Sequence, residues 1–267
     1  MEPRRNDENT GQAPLKSIDL VFSDIDGTCV HYDLKASYSM SDTLDDLKGF
    51  LGAEHAVFKD GRHAEVIRLP TSSSGSTGAI SLASLKLYAA LRNQGRKRLV
   101  LISGCRMSTM MQRLPYLPKA DAYVCESGGR IFYDAAEPHI TACGLVEDVE
   151  WRNSHQSLPP MQSGDICPRD YPGSLWEFFR ELSKKGIQID SKNYTTAFRI
   201  KDERVSPEDV PPSLACSTNL GHLDVYPKSS GKLNAAKYLM EKFGSPSDGS
   251  GAIFLCGAVC IVYWKLE

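Results

Sequence analysis

The stretch Leu20-Val21-Phe22-Ser23-Asp24-Ile25-Asp26-Gly27-Thr28 decides how the rest of the chain is read. Its apolar run ends in two carboxylates one residue apart, followed by a glycine and a hydroxyl. A short apolar run bounded by a turn signal reads as a buried strand of a parallel sheet. In open α/β sheets the ligand crevice lies beyond the carboxyl ends of the strands, where Asp24 and Asp26 fall. Residues two apart on a strand share a face, although a turn at Gly27 can splay them. Paired carboxylates repel, and a hard cation such as Mg²⁺, shared with substrate phosphate oxygens, relieves the repulsion. The plainer reading of Asp-Gly is a turn with Asp24 as its cap.

Working outward, the apolar run Leu99-Val100-Leu101-Ile102 reads as a second buried strand, closed by Ser103-Gly104-Cys105-Arg106. A hydroxyl, a glycine that lets backbone amides approach, and a helix start near Met107 together make a cradle for phosphate oxygens. The alternative for Ser103 is an ordinary helix N-cap. Leu82, Leu85, Tyr88, Ala89 and Arg92 predict the helix before that strand, with Ser81 as N-cap and Gly95 as terminator. The run Arg96-Lys97-Arg98 solvates the turn between them. Near the other end, His222 to Tyr226 reads as a strand returning to the core. Pro227-Lys228-Ser229-Ser230-Gly231-Lys232 then leads into a helix carrying Leu233, Ala236, Met240 and Phe243. A lysine in a helix's first turn opposes the macrodipole, so Lys232 points to an anionic neighbour. Lys228 is the alternative to Lys232, and an exposed lysine the plain reading.

Between these elements the pattern changes. Short alternating segments (122–125, 130–133, 187–190, 194–200) surround a helix from Leu175 to Lys185, begun by a Ser174/Glu177 capping box and stopped by Gly186. Ser206-Pro207-Glu208-Asp209 is a further helix-start signal. Strands with few helices predict an inserted α+β module. Residues 41–51 read as a short amphipathic helix and 64–69 as a strand. Pro70 to Gly78, rich in serine and glycine, reads as a solvated linker rather than a phosphate loop.

Composition sets bounds. The chain has 267 residues, 41% hydrophobic and 24% charged, with net charge −2. That suits a globular protein of one large or two modest domains and gives no electrostatic reason to expect nucleic acid or a membrane surface. The first 17 residues are polar, read as a disordered tail, and lack an apolar signal core. The longest apolar stretch, Ala252 to Trp264, has 13 residues, too few to span a bilayer. Eight scattered cysteines form no Cys-x-x-Cys pair, which disfavours zinc and favours a reducing, cytoplasmic setting.

The strings Asp24-Ile25-Asp26-Gly27-Thr28, Ser103-Gly104-Cys105-Arg106 and Gly231-Lys232, in that order at strand or helix ends, resemble three motifs of the haloacid dehalogenase-like (HAD) phosphohydrolases. An insertion between the second and third, with Glu126-Ser127-Gly128-Gly129-Arg130 at its start, resembles the Cof-type and sucrose-phosphatase-like subgroup. The resemblance covers residues 18–30 and 80–257, and 31–70 reads as an additional insertion. It implies an α/β, Rossmann-like core with a parallel sheet (18–106 and 221–267) and an α+β cap (107–220). It implies a Mg²⁺-dependent phosphatase of a small phosphorylated metabolite, most plausibly a sugar phosphate. Asp24 would be the nucleophile and Asp26 the acid and base. Ser103, Gly104 and Lys232 would hold phosphoryl oxygens, with Mg²⁺ on Asp24 and Asp26. The strand Ile253 to Gly257 matches the segment before the family's acidic fourth motif, but Ala258 to Glu267 carries no such turn. The core is therefore expected to be truncated at its C-terminal end and metal binding weakened. Ala258 to Trp264 would then need somewhere to pack. A catalytically inactive relative that binds a phosphorylated ligand or a protein partner is the alternative, and phosphotransfer to another acceptor a third. Arg152, His155, Lys192 and Arg199 are the polar candidates of the expected cap for substrate contact, read as surface residues rather than ligands.

Overall fold

A computed structural model describes residues 18–39, 52–72, 75–135, 144–155, 170–219, 221–246, 248–256 and 260–262. The chain opens with β1 (Leu20–Asp24) and then makes five short strands: β2 (Val30–His31), β3 (Leu34–Ser39), β4 (Ala53–Phe58), β5 (His63–Arg68) and β6 (Ala79–Ser81). Helix α1 (Leu82–Asn93) leads to β7 (Arg98–Ile102), α2 (Met107–Arg113), β8 (Ala122–Cys125), β9 (Arg130–Asp134), β10 (Leu145–Glu147) and α3 (Val149–Asn153). Next come α4 (Ser174–Lys184), β11 (Ile189–Asp190), β12 (Phe198–Ile200), β13 (Leu214–Asn219) and β14 (His222–Pro227). Helix α5 (Lys232–Lys242), β15 (Ala252–Cys256) and β16 (Cys260–Val262) follow.

These strands form three sheets. The largest runs β10-β9-β8-β7-β1-β15-β16, with β8, β7, β1 and β15 parallel and the outer strands antiparallel. It is the expected α/β core, with β1 between β7 and β15. Alternation along β1 sends Leu20 and Phe22 to one face and Val21 to the other. Leu20 and Phe22 join Val100, Ile102, Ala122 and Val124 under the Ala235, Ala236, Leu239 and Met240 face of α5. Val21 joins Leu99, Leu101 and Tyr123 beneath Leu82 and Tyr88 of α1 and Met110 of α2. With both faces covered, every inner strand must be apolar throughout, which is why these strands stand out in the sequence. Phe22 also stacks on Phe254, ring centroids 4.6 Å apart. Ser81 caps α1 as expected, its hydroxyl accepting from the Ser84 amide at 2.9 Å.

The second sheet, β2-β6-β5-β4-β3, is antiparallel and built wholly from residues 30–81. The strand expected at 64–69 is β5; the helix expected at 41–51 falls outside the described residues. The third sheet, β11-β12-β14-β13, is also antiparallel and packs on α4 through Leu175, Trp176, Phe178, Phe179 and Leu182.

Several expectations shift. The span 107–220 is divided: β8, β9 and β10 belong to the core sheet, because β8 pairs parallel with β7 in register Val100 to Ala122. His222 to Tyr226 does not return to the core; β14 pairs with β12 and β13, which bury Leu223 and Val225 against α4. The α4 cap position is Gly173 (φ 96°), one residue before the expected Ser174. At 206–209 the start signal yields a single 3₁₀ turn, with the Ser206 and Asp209 pair as its capping box. Of the stretch after Gly257, residues 260–262 extend the core sheet antiparallel to β15; residues 257–259 and 263–267 lie outside the described set.

Candidate active site

At the carboxyl end of β1 the chain turns sharply. Gly27 takes φ 80°, a region that excludes most side chains, and its amide donates to the Val30 carbonyl at 2.8 Å. The Val30 amide in turn reaches the Ile25 carbonyl at 2.9 Å. Beneath the turn, Ser23 shares a 2.6 Å hydrogen bond with the Tyr88 hydroxyl of α1 and donates to the Asp24 carbonyl at 3.0 Å. The end of β1 is thereby fixed to the helix packed under it.

Lys232, 208 residues away, brings its ammonium Nζ to 2.7 Å from Asp24 Oδ1. This is the anionic neighbour its place in the first turn of α5 required. Lys228, the alternative, is exposed. Burial pushes the Asp24 carboxyl above its ordinary value, Lys232 pulls it back, and the Asp26 charge adds to the rise. One ammonium, half exposed, does not balance the desolvation of this carboxylate. A second cation would therefore find a willing ligand in Asp24, and to that extent the site fits Mg²⁺.

Asp26 sits in a different setting. Its Oδ2 accepts from the Ser103 hydroxyl at 2.9 Å, and its Oδ1 accepts from Arg113 Nη1 at 3.1 Å and from the Tyr32 hydroxyl. Arg113 also donates to Tyr32 at 2.8 Å. The sequence reading placed Asp26 on the metal, but here its carboxylate carries a buried guanidinium and two hydroxyls; it would have to give up donors to bind a cation. Ser103, fully buried, gives its hydrogen to Asp26 and takes one from the Cys105 amide at 3.0 Å. Gly104 is buried beside it, its carbonyl 3.5 Å from the Tyr194 hydroxyl. Among the described residues, no three His, Cys, Asp or Glu side chains converge as a metal cluster.

The two aspartates open onto different hollows. Asp24 and Lys232 form the polar end of a cleft of about 230 Å³ whose walls include Phe22, Ile102, Leu233, Phe254 and Leu255. Asp26 lines a tighter cavity of about 40 Å³, shared with Tyr32, Arg106, Arg113, Tyr194 and Arg199. Ser72 and Ser76 also border it, which corrects the reading of Pro70 to Gly78 as a solvated linker. Arg152, His155 and Arg199, read as surface residues, are instead buried, each in hydrogen bonds: to Glu147, Ser229 and Asp224 respectively. Lys192 is exposed.

A loop after β8 ties the parts together. Glu126, Ser127 and Gly128 all have positive φ (52°, 56° and 95°), which glycine adopts freely but which strains Glu126 and Ser127 and must be held in place by packing. Glu126 Oε2 accepts from the amides and hydroxyls of both Thr195 and Thr196 at 2.7–3.2 Å, fastening the segment before β12 to the core. Gly128 lies against the start of α5: a Cβ there would meet the Gly231 carbonyl carbon at 2.3 Å and the Lys232 nitrogen at 2.7 Å.

Sequence reasoning missed Arg113 and Tyr32, and it noted Glu126 only as part of a motif, with no role. Arg113 had a signal: it lies seven residues after Arg106, which caps the helix that Arg113 ends. Tyr32 had none, since it reaches Asp26 only through the turn at Gly27.

A scan against protein-family models finds no match, and no curated protein matches the sequence. Solved structures similar in fold include the sucrose-phosphatase of Synechocystis sp. (13% identity, 89% of this chain and 75% of that one, TM-score 0.48). A phosphatase of the haloalkanoate (HAD) enzyme superfamily from Bacteroides thetaiotaomicron is also similar (13%, 92% and 80%, TM-score 0.44). So is the trehalose-6-phosphate phosphatase of Aspergillus fumigatus (14%, 86% and 68%, TM-score 0.38). These likenesses are distant, and the functional reading rests on the side chains described above.

Proposed function

We propose that this chain is a phosphomonoesterase of the HAD type, acting on a small phosphorylated metabolite, with a sugar phosphate as the leading substrate class. The observation that carries the reading is the 2.7 Å approach of Lys232 to Asp24, beside an Asp26 held by Ser103. Residues 24, 26, 103 and 232 come from three motifs far apart in the chain and gather at the carboxyl ends of β1 and β7 and the start of α5.

In this reading an Asp24 oxygen attacks phosphorus, the bond to the ester oxygen breaks, and Asp26 delivers a proton to that oxygen. Asp26 then takes a proton from water, whose oxygen attacks the aspartyl phosphate and frees Asp24 and inorganic phosphate. Lys232 offsets charge on the transferring group, and Ser103 turns its hydroxyl from Asp26 to a phosphoryl oxygen. Gly104 supplies backbone beside it. Mg²⁺, held by Asp24 and by Asp26 where it exchanges its present donors, would supply further positive charge to that group.

Hydrolysis of a generic aryl phosphate with Mg²⁺, comparing the chain with Asp24→Asn, tests this. Turnover lost in the variant is expected, and equal rates in the two would remove the enzyme reading. One observation favours the alternative, a phosphate-ligand binder without turnover: the three donors already committed to Asp26. Tight phosphate-ester binding with no hydrolysis would select it.

A further inference from the structure

The cavity beside Asp26 is unusual in what faces it. Arg106 caps the N-terminus of α2, Arg113 ends it, and Arg199 comes from β12. Against these three guanidiniums the lining holds, among the described residues, one carboxylate, Asp26. Arg106 is fastened to Asp190 and stacks over the Tyr194 ring at 4.7 Å, and Arg199 makes a two-pronged pair with Asp224 at 2.6 and 2.9 Å. Asp190 and Asp224 are not part of the cavity wall, so they hold the arginines from behind and fix their orientation. Arg113 is 2% exposed; its Nη1 is given to Asp26 and Tyr32 and its Nη2 to the Ser76 carbonyl at 3.5 Å, while its Nε is buried without a hydrogen-bond partner among the described residues. A buried N–H left unmet on a guanidinium asks for an acceptor. The Ser72, Ser76, Thr109 and Tyr32 side chains add hydroxyls to the same wall.

Size narrows the acceptor. A cavity of about 40 Å³ holds about three waters, which is the scale of a carboxylate rather than of a sugar ring. Position narrows it further. If Asp26 gives its proton to the leaving oxygen, the cavity on its side receives the rest of the leaving group. We propose that the substrate is a phosphorylated hydroxy acid or sugar acid whose carboxylate is read by Arg113, with Arg106 and Arg199, each oriented by its own aspartate, completing a wall of guanidinium N–H donors. This rests on the phosphatase reading for its orientation but predicts binding that can be measured without turnover. Planar guanidinium groups match a carboxylate in two-pronged geometry, which is why arginine and not lysine suits this wall.

The test is calorimetric titration of the full chain carrying Asp24→Asn, with Mg²⁺ present, using 2-phosphoglycolate and ethyl phosphate. The two probes differ in a carboxylate against a methyl group. At least tenfold tighter binding of 2-phosphoglycolate is expected. Equal affinities within twofold overturn the proposal, as does tighter binding of ethane-1,2-diol bisphosphate, which would assign the cavity to phosphate. Arg113→Met in the same background should bring the ratio near one, and Arg113→Lys should recover part of it; a ratio unchanged in Arg113→Met overturns the assignment. Should Arg113→Met not fold, the ratio measured without it decides the matter alone. Turnover of an aryl phosphate by the unsubstituted chain is assayed in parallel. Turnover with no acid preference sinks the carboxylate site alone, and acid-selective binding with no turnover sinks the phosphatase reading alone.

Discussion

Asp24→Asn should stabilise the protein while it abolishes turnover. The carboxyl group is mostly buried, its side chain 17% exposed, and the one side-chain cation paired with it among the described residues is Lys232, 44% exposed. Half-exposed lysine pairs return about 0–1 kcal/mol. A charged group left short of partners on burial costs about 1–3 kcal/mol or more. Burial outweighs Lys232, and the direction of the Asp24 shift agrees: above 3.8. A carboxyl raised on folding adds stability only below its unfolded value, and that contribution is lost as pH rises through the folded value. At neutral pH the ionised group is therefore a net cost, which asparagine removes. The expected gain is roughly 1 kcal/mol, or about 2–4 °C in Tm, with phosphatase activity down by about 10³-fold or more. Thermal unfolding of both chains across pH supplies the check. The gap should open as pH climbs above 3.8 and close at acid pH. A variant less stable than the parent at pH 7, or a gap that ignores pH, would refute the reasoning by showing that the Lys232 pair dominates.

Other outcomes follow from the same geometry. Lys232→Met should lower phosphatase turnover by about 10²–10³-fold while changing urea stability by no more than about 1 kcal/mol, since the pair is half exposed. Glu126→Ala strips a fully buried carboxylate from four donors on Thr195 and Thr196; a loss of about 3 kcal/mol is expected, with faster amide exchange at residues 195–200. Phe22→Ala removes a ring with 0% exposure and its stack on Phe254, a loss of about 3–5 kcal/mol by denaturant titration. Burial, with Arg152 beside it, lowers His155 from 6.5 to about 4. A histidine lowered on folding stabilises above its unfolded value, so stability should fall by about 3 kcal/mol as pH drops from 6.5 to 4. Urea midpoints against pH should lose that slope in His155→Gln.

What the sequence disclosed tracks what physics makes local. Parallel strands covered on both faces must be continuously apolar, so β1, β7 and the start of β15 were visible, and Asp24, Asp26 and Ser103 stand where those runs stop. Lys232 was legible because a cation in a helix's first turn is locally wrong and needs a distant reason. Of the second sheet only β5 was legible, and β2 and β6, with two and three residues, are too short for a period to register. The strand β14 misled because its alternation fixes that it is a strand, not which sheet it joins. Arg113 and Tyr32 acquire their meaning only when α2 and the turn after β1 bring them to Asp26. Ser72 and Ser76 read as linker by composition, yet the fold sets them against the cavity beside Asp26.

The loop at Glu126 to Gly128 leaves no slack between the two parts it touches. Its carboxylate grips the threonines ahead of β12, while its glycine abuts the peptide that begins α5. Any side chain at position 128 would wedge that peptide outward, carrying the ammonium of Lys232 with it. The third sheet and the lysine are thus levered about one fulcrum, and displacing either one disturbs the other.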